Sequence, residues 1–85
     1  MVSGDVKEQT RQALKNLVAI LSSGGASPSH VVKTTVLVAS MSDYAAVNEV
    51  YSETFKDSKP ARAAFAVKDL PAGALIEIDA IACLP

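Results

Sequence analysis

With 85 residues, 49% hydrophobic and only 5% aromatic, the chain has material for one small domain, 1–85, which would bury roughly 60% of the surface its unfolded form exposes. Eight basic and nine acidic residues leave a formal charge of −1 with no long block of either sign, which speaks against a nucleic-acid footprint. No apolar run approaches the ~20 residues of a membrane span, and Cys83 and His30, each the single residue of its kind, offer no internal disulfide and no metal cluster.

Asp5 followed by Glu8 has capping-box spacing, so a helix starts near Val6. Val6, Ala13, Leu14, Leu17, Val18 and Leu21 recur at three- and four-residue steps, with Lys7, Glu8, Arg11, Gln12 and Lys15 on the opposite face. Gly24-Gly25 ends the helix, glycine supplying the left-handed closing conformation. Ser27-Pro28 predicts a single tight turn containing His30, which is read as a turn or surface residue.

Val31 to Ala39 is dense in β-branched residues whose apolar members point both ways, the pattern of an interior strand covered on both faces, with Lys33 and the threonines near its start as exceptions toward an end. Met41-Ser42-Asp43 is expected to end that strand and cap a second helix, Asp43 to Phe55, with Tyr44, Val47, Val50, Tyr51 and Phe55 as its buried stripe. Lys56 to Lys59 reads as a polar loop, and Pro60 marks where the next strand can begin. Ala61 to Val67 and Ala74 to Ala82 are strand candidates. A hairpin is their obvious local pairing. A strand-helix-strand unit from Val31 to Val67, with the last strand on the other side of the first, suits the two-sided apolarity of Val31 to Val38 better.

Two charges stand out. Arg62 and Glu77 sit on successive short strands of small or branched apolar residues, where an isolated buried charge would cost several kcal/mol without a partner or ligand. Their plain reading is a structural ion pair bridging strands or subunits; their functional reading is a working site.

The residues around them carry a resemblance. Pro60-Ala61-Arg62-Ala63, then Phe65, Lys68, Leu70 and Ile76-Glu77-Ile78, resemble the C-terminal signature of the YjgF/RidA family of reactive-intermediate imine deaminases. Gly4-Asp5-Val6, Gln9 to Leu17, Val31 to Val36 and Ala46 to Tyr51 are similar to that family in the same order. The resemblance implies a chorismate-mutase-like α+β fold, here in the order α-β-α-β-β, with a mixed sheet and two helices on one face. Family chains carry three further strands ahead of the first helix, with Gly-Pro-Tyr-Ser and Ser-Gly-Gln segments that are not found here, so a chain lacking those leading strands is expected. Its sheet would then have an uncovered edge beside the Ala74 to Ala82 strand.

The family likeness further implies a homotrimer with a ligand cleft between subunits, and cofactor-free hydrolysis of enamines and imines such as 2-aminoacrylate and 2-iminobutanoate to 2-keto acids and ammonia. Arg62 would hold the substrate carboxylate, a task suited to its planar fork. Glu77 would position or activate water, Asn48 would lie near the cleft or equally serve a structural hydrogen bond, and Ala64, where many relatives carry cysteine, would offer only backbone groups. The alternative is a non-catalytic module binding small carboxylates or another protein. RNA cleavage, attached to some relatives, has the least support in this sequence. The expected partner is thus a small imino or keto acid, with no nucleic acid and no membrane, in the cytoplasm. A mitochondrial location would suit a eukaryotic relative, but no targeting segment is seen.

Overall fold

The computed structural model describes residues 5–56 and 59–84. Gly4 of the Gly4-Asp5-Val6 segment, together with Asp57 and Ser58 of the polar loop, lies outside the described residues.

Helix α1 spans Val6–Ser23. The Asp5 carboxylate accepts from the Glu8 backbone N–H at 2.8 Å, satisfying one of the free donors of the first turn. At the other end Gly25, not Gly24, takes the left-handed conformation, with φ of 83°. The chain reverses there so that the Ala26 N–H reaches the Leu21 carbonyl at 2.8 Å. Pro28–His30 forms the expected single turn, in which His30 Nδ1 accepts from the Ser27 backbone N–H at 2.9 Å.

Strand β1 spans Val31–Val38, helix α2 Tyr44–Thr54, strand β2 Ala61–Ala66 and strand β3 Ile76–Ala82. The sheet order is β2-β1-β3, with β1 parallel to β2 and antiparallel to β3. The last two strands therefore do not form a hairpin; β1 separates them, giving the mixed α-β-α-β-β arrangement expected of the α+β fold. Among the described residues, one edge of β2 and one edge of β3 have no strand neighbour.

The register divides the sheet residues cleanly. One face carries the rows Ala66-Val38-Ile76, Ala64-Val36-Ile78 and Arg62-Thr34-Ala80, and the other carries Phe65-Leu37-Glu77, Ala63-Thr35-Asp79 and Ala61-Lys33-Ile81. Val36, Val38 and Ile76 of the first face join Leu14 of α1 and Val47, Val50, Tyr51 and Phe55 of α2 in one core. The expectation that the apolar residues of β1 are covered on both faces is corrected here: Val32 is exposed and Leu37 only half-buried, alongside the excepted Lys33 and Thr35. Both helices contribute to the core on a single side of the sheet, so the other side stays open within the chain.

Two further local readings change. Met41–Asp43 is a separate short turn whose cap is Ser40, accepting from the Ser42 N–H at 3.3 Å, while Asp43 makes no side-chain cap bond to α2. The connection into β3 is a third short turn, Pro71–Gly73, with Ala72 and Gly73 at positive φ, and the strand begins at Ile76 rather than Ala74.

Two buried polar residues on α1 escaped the apolar periodicity. Thr10 is fully buried and donates to the Val6 carbonyl at 2.6 Å, an intrahelical bond that permits a hydroxyl in the core. Gln9 is buried and accepts the Leu75 N–H at 2.8 Å, linking α1 to the entry of β3.

Candidate functional site

The groove that holds Arg62 is made by the last turns of α2 and the start of β2. Arg62 is the second residue of β2 and projects on the helix-covered side, where Thr34 is its register partner. The position lies at the end of the sheet, beyond most of the core, so its side chain runs out beneath α2 and is exposed.

Three side chains of α2 fix the guanidinium. Arg62 Nη1 donates to Asn48 Oδ1 in a short hydrogen bond, and the guanidinium carbon lies 4.8 Å from the Tyr51 ring centroid and 5.5 Å from that of Tyr44. These are cation–π distances, and a planar guanidinium is suited to stacking on a ring. Tyr51 is itself held: its hydroxyl shares a buried 2.6 Å hydrogen bond with Thr34 Oγ1, and its ring packs 4.8 Å, centroid to centroid, from Phe55. A chain of contacts thus runs from Thr34 in the central strand through Tyr51 to Arg62. Sequence reading assigned Tyr44, Tyr51 and Phe55 to packing; Tyr51 and Phe55 are buried, while Tyr44 is half-buried, and the two tyrosines also orient the arginine.

The resulting open groove has a volume of about 600 Å³ and is lined by Asn48, Tyr51, Phe55, Lys56, Lys59 and Arg62, among others. That falls within the range of roughly 300–1,000 Å³ common for small-molecule sites. Asn48 and Arg62 therefore share one site. Ala64 lies two residues along the same face of β2, half-buried and packed against the core, with no side-chain polar group to offer.

Glu77 lies elsewhere. It pairs with Leu37 in register, three positions from Thr34, so it stands on the opposite face of the sheet from Arg62. Glu77 is exposed, on the open face in the row Phe65-Leu37-Glu77. Two expectations are corrected: Arg62 and Glu77 do not form an ion pair between strands of one chain, and neither is a buried charge requiring compensation, Arg62 because it lies at the end of the covered face and Glu77 because its face is open within the chain. Among the described residues the only ion pair is Lys7–Glu49 at 2.9 Å, which joins α1 to α2 at the surface. That contact with Lys7 holds the Glu49 carboxyl below the usual carboxylate range. No group of three His, Cys, Asp or Glu side chains among the described residues is placed to hold a metal ion, and no described helix is long and apolar enough to cross a membrane.

The architecture is that of a small α+β domain with two helices over a mixed sheet and an arginine-headed groove at the sheet's end. The chain belongs to the YjgF/RidA family: residues 1–84 match the family described as "Endoribonuclease L-PSP". It is 54% identical over 82 residues to a RutC family protein of Pyrococcus horikoshii, an alignment covering 96% of this chain and 65% of the relative. It is 51% identical over 82 residues to the human 2-iminobutanoate/2-iminopropanoate deaminase, covering 96% of this chain and 60% of that protein. The crystal structure of the YjgF gene product of E. coli superposes with a TM-score of 0.90 at 41% identity, over 96% of this chain and 67% of that one. The chain thus spans under two thirds of the length of the curated relatives it matches.

Proposed function

We propose that this chain provides the substrate-anchoring core of an imine deaminase, which hydrolyses enamine and imine intermediates of the 2-aminoacrylate and 2-iminobutanoate type to 2-keto acids and ammonia. The observation that carries the reading is the orientation of Arg62. Asn48 occupies one terminal nitrogen and the two tyrosine rings fix the plane, leaving the remaining donors to face a groove. A planar fork held in this way can bind a carboxylate with two parallel charge-assisted bonds and little further loss of freedom. The relatives named for deamination of 2-imino acids support the substrate class.

With the carboxylate on Arg62, the adjacent imine carbon is the electrophile. A water oxygen adds to that carbon while the π electrons of C=N move to nitrogen, and the resulting carbinolamine loses its C–N bond to give the keto acid and ammonia. Glu77 is the group proposed to take a proton from the water and return it to the departing nitrogen, general acid–base assistance of a kind typically worth about 10²–10⁴-fold in rate. Because Glu77 and Arg62 are on opposite faces of one sheet, the two roles are filled by different copies of the chain. This is the reason to expect assembly, and the family likeness supports a homotrimer. The exposed Phe65 and Ile81 beside Glu77's face, 55% and 60% accessible, are the apolar surface such an assembly would cover.

The test is keto-acid release from imines generated in situ by an amino-acid oxidase, measured against spontaneous hydrolysis, alongside the native mass. Acceleration by an oligomer, lost in Glu77→Gln while 2-oxobutanoate still binds and lost with binding in Arg62→Ala, is the expected result. Binding without turnover in the unmodified chain would favour the non-catalytic carboxylate-binding module instead. Absence of both would reject the anchor itself. RNA cleavage, which the family description names, draws less support from a chain of net charge −1.

A further inference from the structure

The groove beside Arg62 contains more positive charge than one carboxylate needs. Lys56 lies two residues past the end of α2, and Lys59 stands two residues before β2 begins, and both line the same cavity as Arg62. Among the described residues, no Asp or Glu lines it. Lys7 is neutralised by Glu49, but neither Lys56 nor Lys59 makes an ion pair with a described residue. Lys59 is also held at φ of 44°, with its N–H bonded to the Phe55 carbonyl at 3.1 Å. Left-handed backbone is unfavourable for a lysine, and more so for a residue that precedes proline. A strained position kept at the mouth of a cavity is a site to question for function.

The size of the cavity points the same way. About 600 Å³ is far more room than a four-carbon imino acid fills, and the wall beyond Arg62 carries the two lysines along with Phe55 and Pro60. We infer that the groove selects 2-imino acids bearing a second anionic group, with 2-imino dicarboxylic acids, those derived from acidic amino acids, as the preferred class. Arg62 takes the α-carboxylate and Lys56 with Lys59 takes the distal one. Point-charge ammonium groups on flexible stems suit a distal carboxylate whose position varies with chain length, whereas the α-carboxylate, fixed relative to the reacting carbon, takes the planar fork.

This inference rests on the carboxylate-anchor role of Arg62 and is tested with the stable keto-acid products as probes. Calorimetric titration of the unmodified chain with 2-oxoglutarate and with 2-oxobutanoate should show the dicarboxylate bound roughly fivefold to tenfold more tightly, the range that two solvent-exposed ion pairs supply. Raising the salt to about 1 M, where the screening length is ~3 Å, should shrink that ratio. In the Lys56→Met/Lys59→Met double variant, checked for folding by circular dichroism, the ratio should fall to within about twofold of unity. Equal affinity for the two probes in the unmodified chain, or a preference that survives in the double variant, overturns the inference while leaving the carboxylate anchor standing. Failure of both probes to bind overturns the two together.

Discussion

Thr34 and Tyr51 share the buried hydrogen bond on which the candidate site is built. Their hydroxyls are 2.6 Å apart, Thr34 is 0% and Tyr51 6% exposed, and the tyrosine ring lies against the Arg62 guanidinium. The bond ties the middle of the sheet to α2 at the level of the groove, so it contributes to stability and to the placing of the arginine.

Removing one partner leaves the other hydroxyl buried without a bond, which costs about 1–3 kcal/mol. Thr34→Val and Tyr51→Phe should each lower the urea midpoint accordingly, whereas the double variant should be more stable than the sum of the two losses predicts. Losses that add to within about 0.5 kcal/mol would mean the hydroxyls do not interact energetically.

Asn48 should act on binding through Arg62 rather than on folding. Asn48→Ala frees the guanidinium and should weaken 2-oxobutanoate binding by about threefold to tenfold, the scale of one side chain that must be ordered on binding. Asn48→Asp should weaken it further, because a carboxylate there bonds the arginine and repels the incoming anion. If both variants bound equally well, or if Asn48→Ala mainly lowered the thermal midpoint, Asn48 would be a structural residue only.

Gln9 closes the other side of the core. In Gln9→Leu the Leu75 N–H loses its 2.8 Å acceptor, and a loss of about 1–2 kcal/mol is expected, with faster amide exchange at Leu75 as the local signature. Unchanged exchange at Leu75 would show that the bond is replaceable.

The Lys7–Glu49 pair gives a pH dependence of known sign. Hydrogen bonding to Lys7, then its charge, lowers the Glu49 pKa in the folded chain. A carboxyl depressed on folding stabilises the native state above its unfolded pKa, and the contribution disappears as the pH falls through the lower, folded value. Carboxyl chemical shifts should therefore show Glu49 titrating below the ordinary glutamate range, and Lys7→Met should move it back up. A Glu49 titration indifferent to Lys7 would contradict the contact. Because Glu49 is exposed and Lys7 only half-buried, the pair should matter less as salt is raised.

Much of this fold is legible in the chain itself. The Asp5 cap, the α1 stripe around Leu14, the breaker at Gly24-Gly25, the β-branched run of Val31–Val38 and the stripe Val47, Val50, Tyr51 and Phe55 are short-range patterns, set by backbone propensity and periodicity over a few residues. The choice of β1 as the central strand also followed from local composition. Gln9 and Thr10 were not legible, because periodicity counts apolar side chains and both are polar groups whose bonds are satisfied on burial.

For the site, the sequence singled out Arg62, Glu77, Asn48 and Ala64, and identified the family through the motif that carries them. It could not say on which side of the sheet each charge would stand. Strand alternation gives the faces within one strand, but the relation between β2 and β3 depends on their separate registers with β1, a pairing made over dozens of intervening residues. Only the tertiary structure decided that Arg62 joins Asn48, Tyr44 and Tyr51 in a groove while Glu77 faces away, and that Lys56 and Lys59 come to line the cavity that the arginine heads.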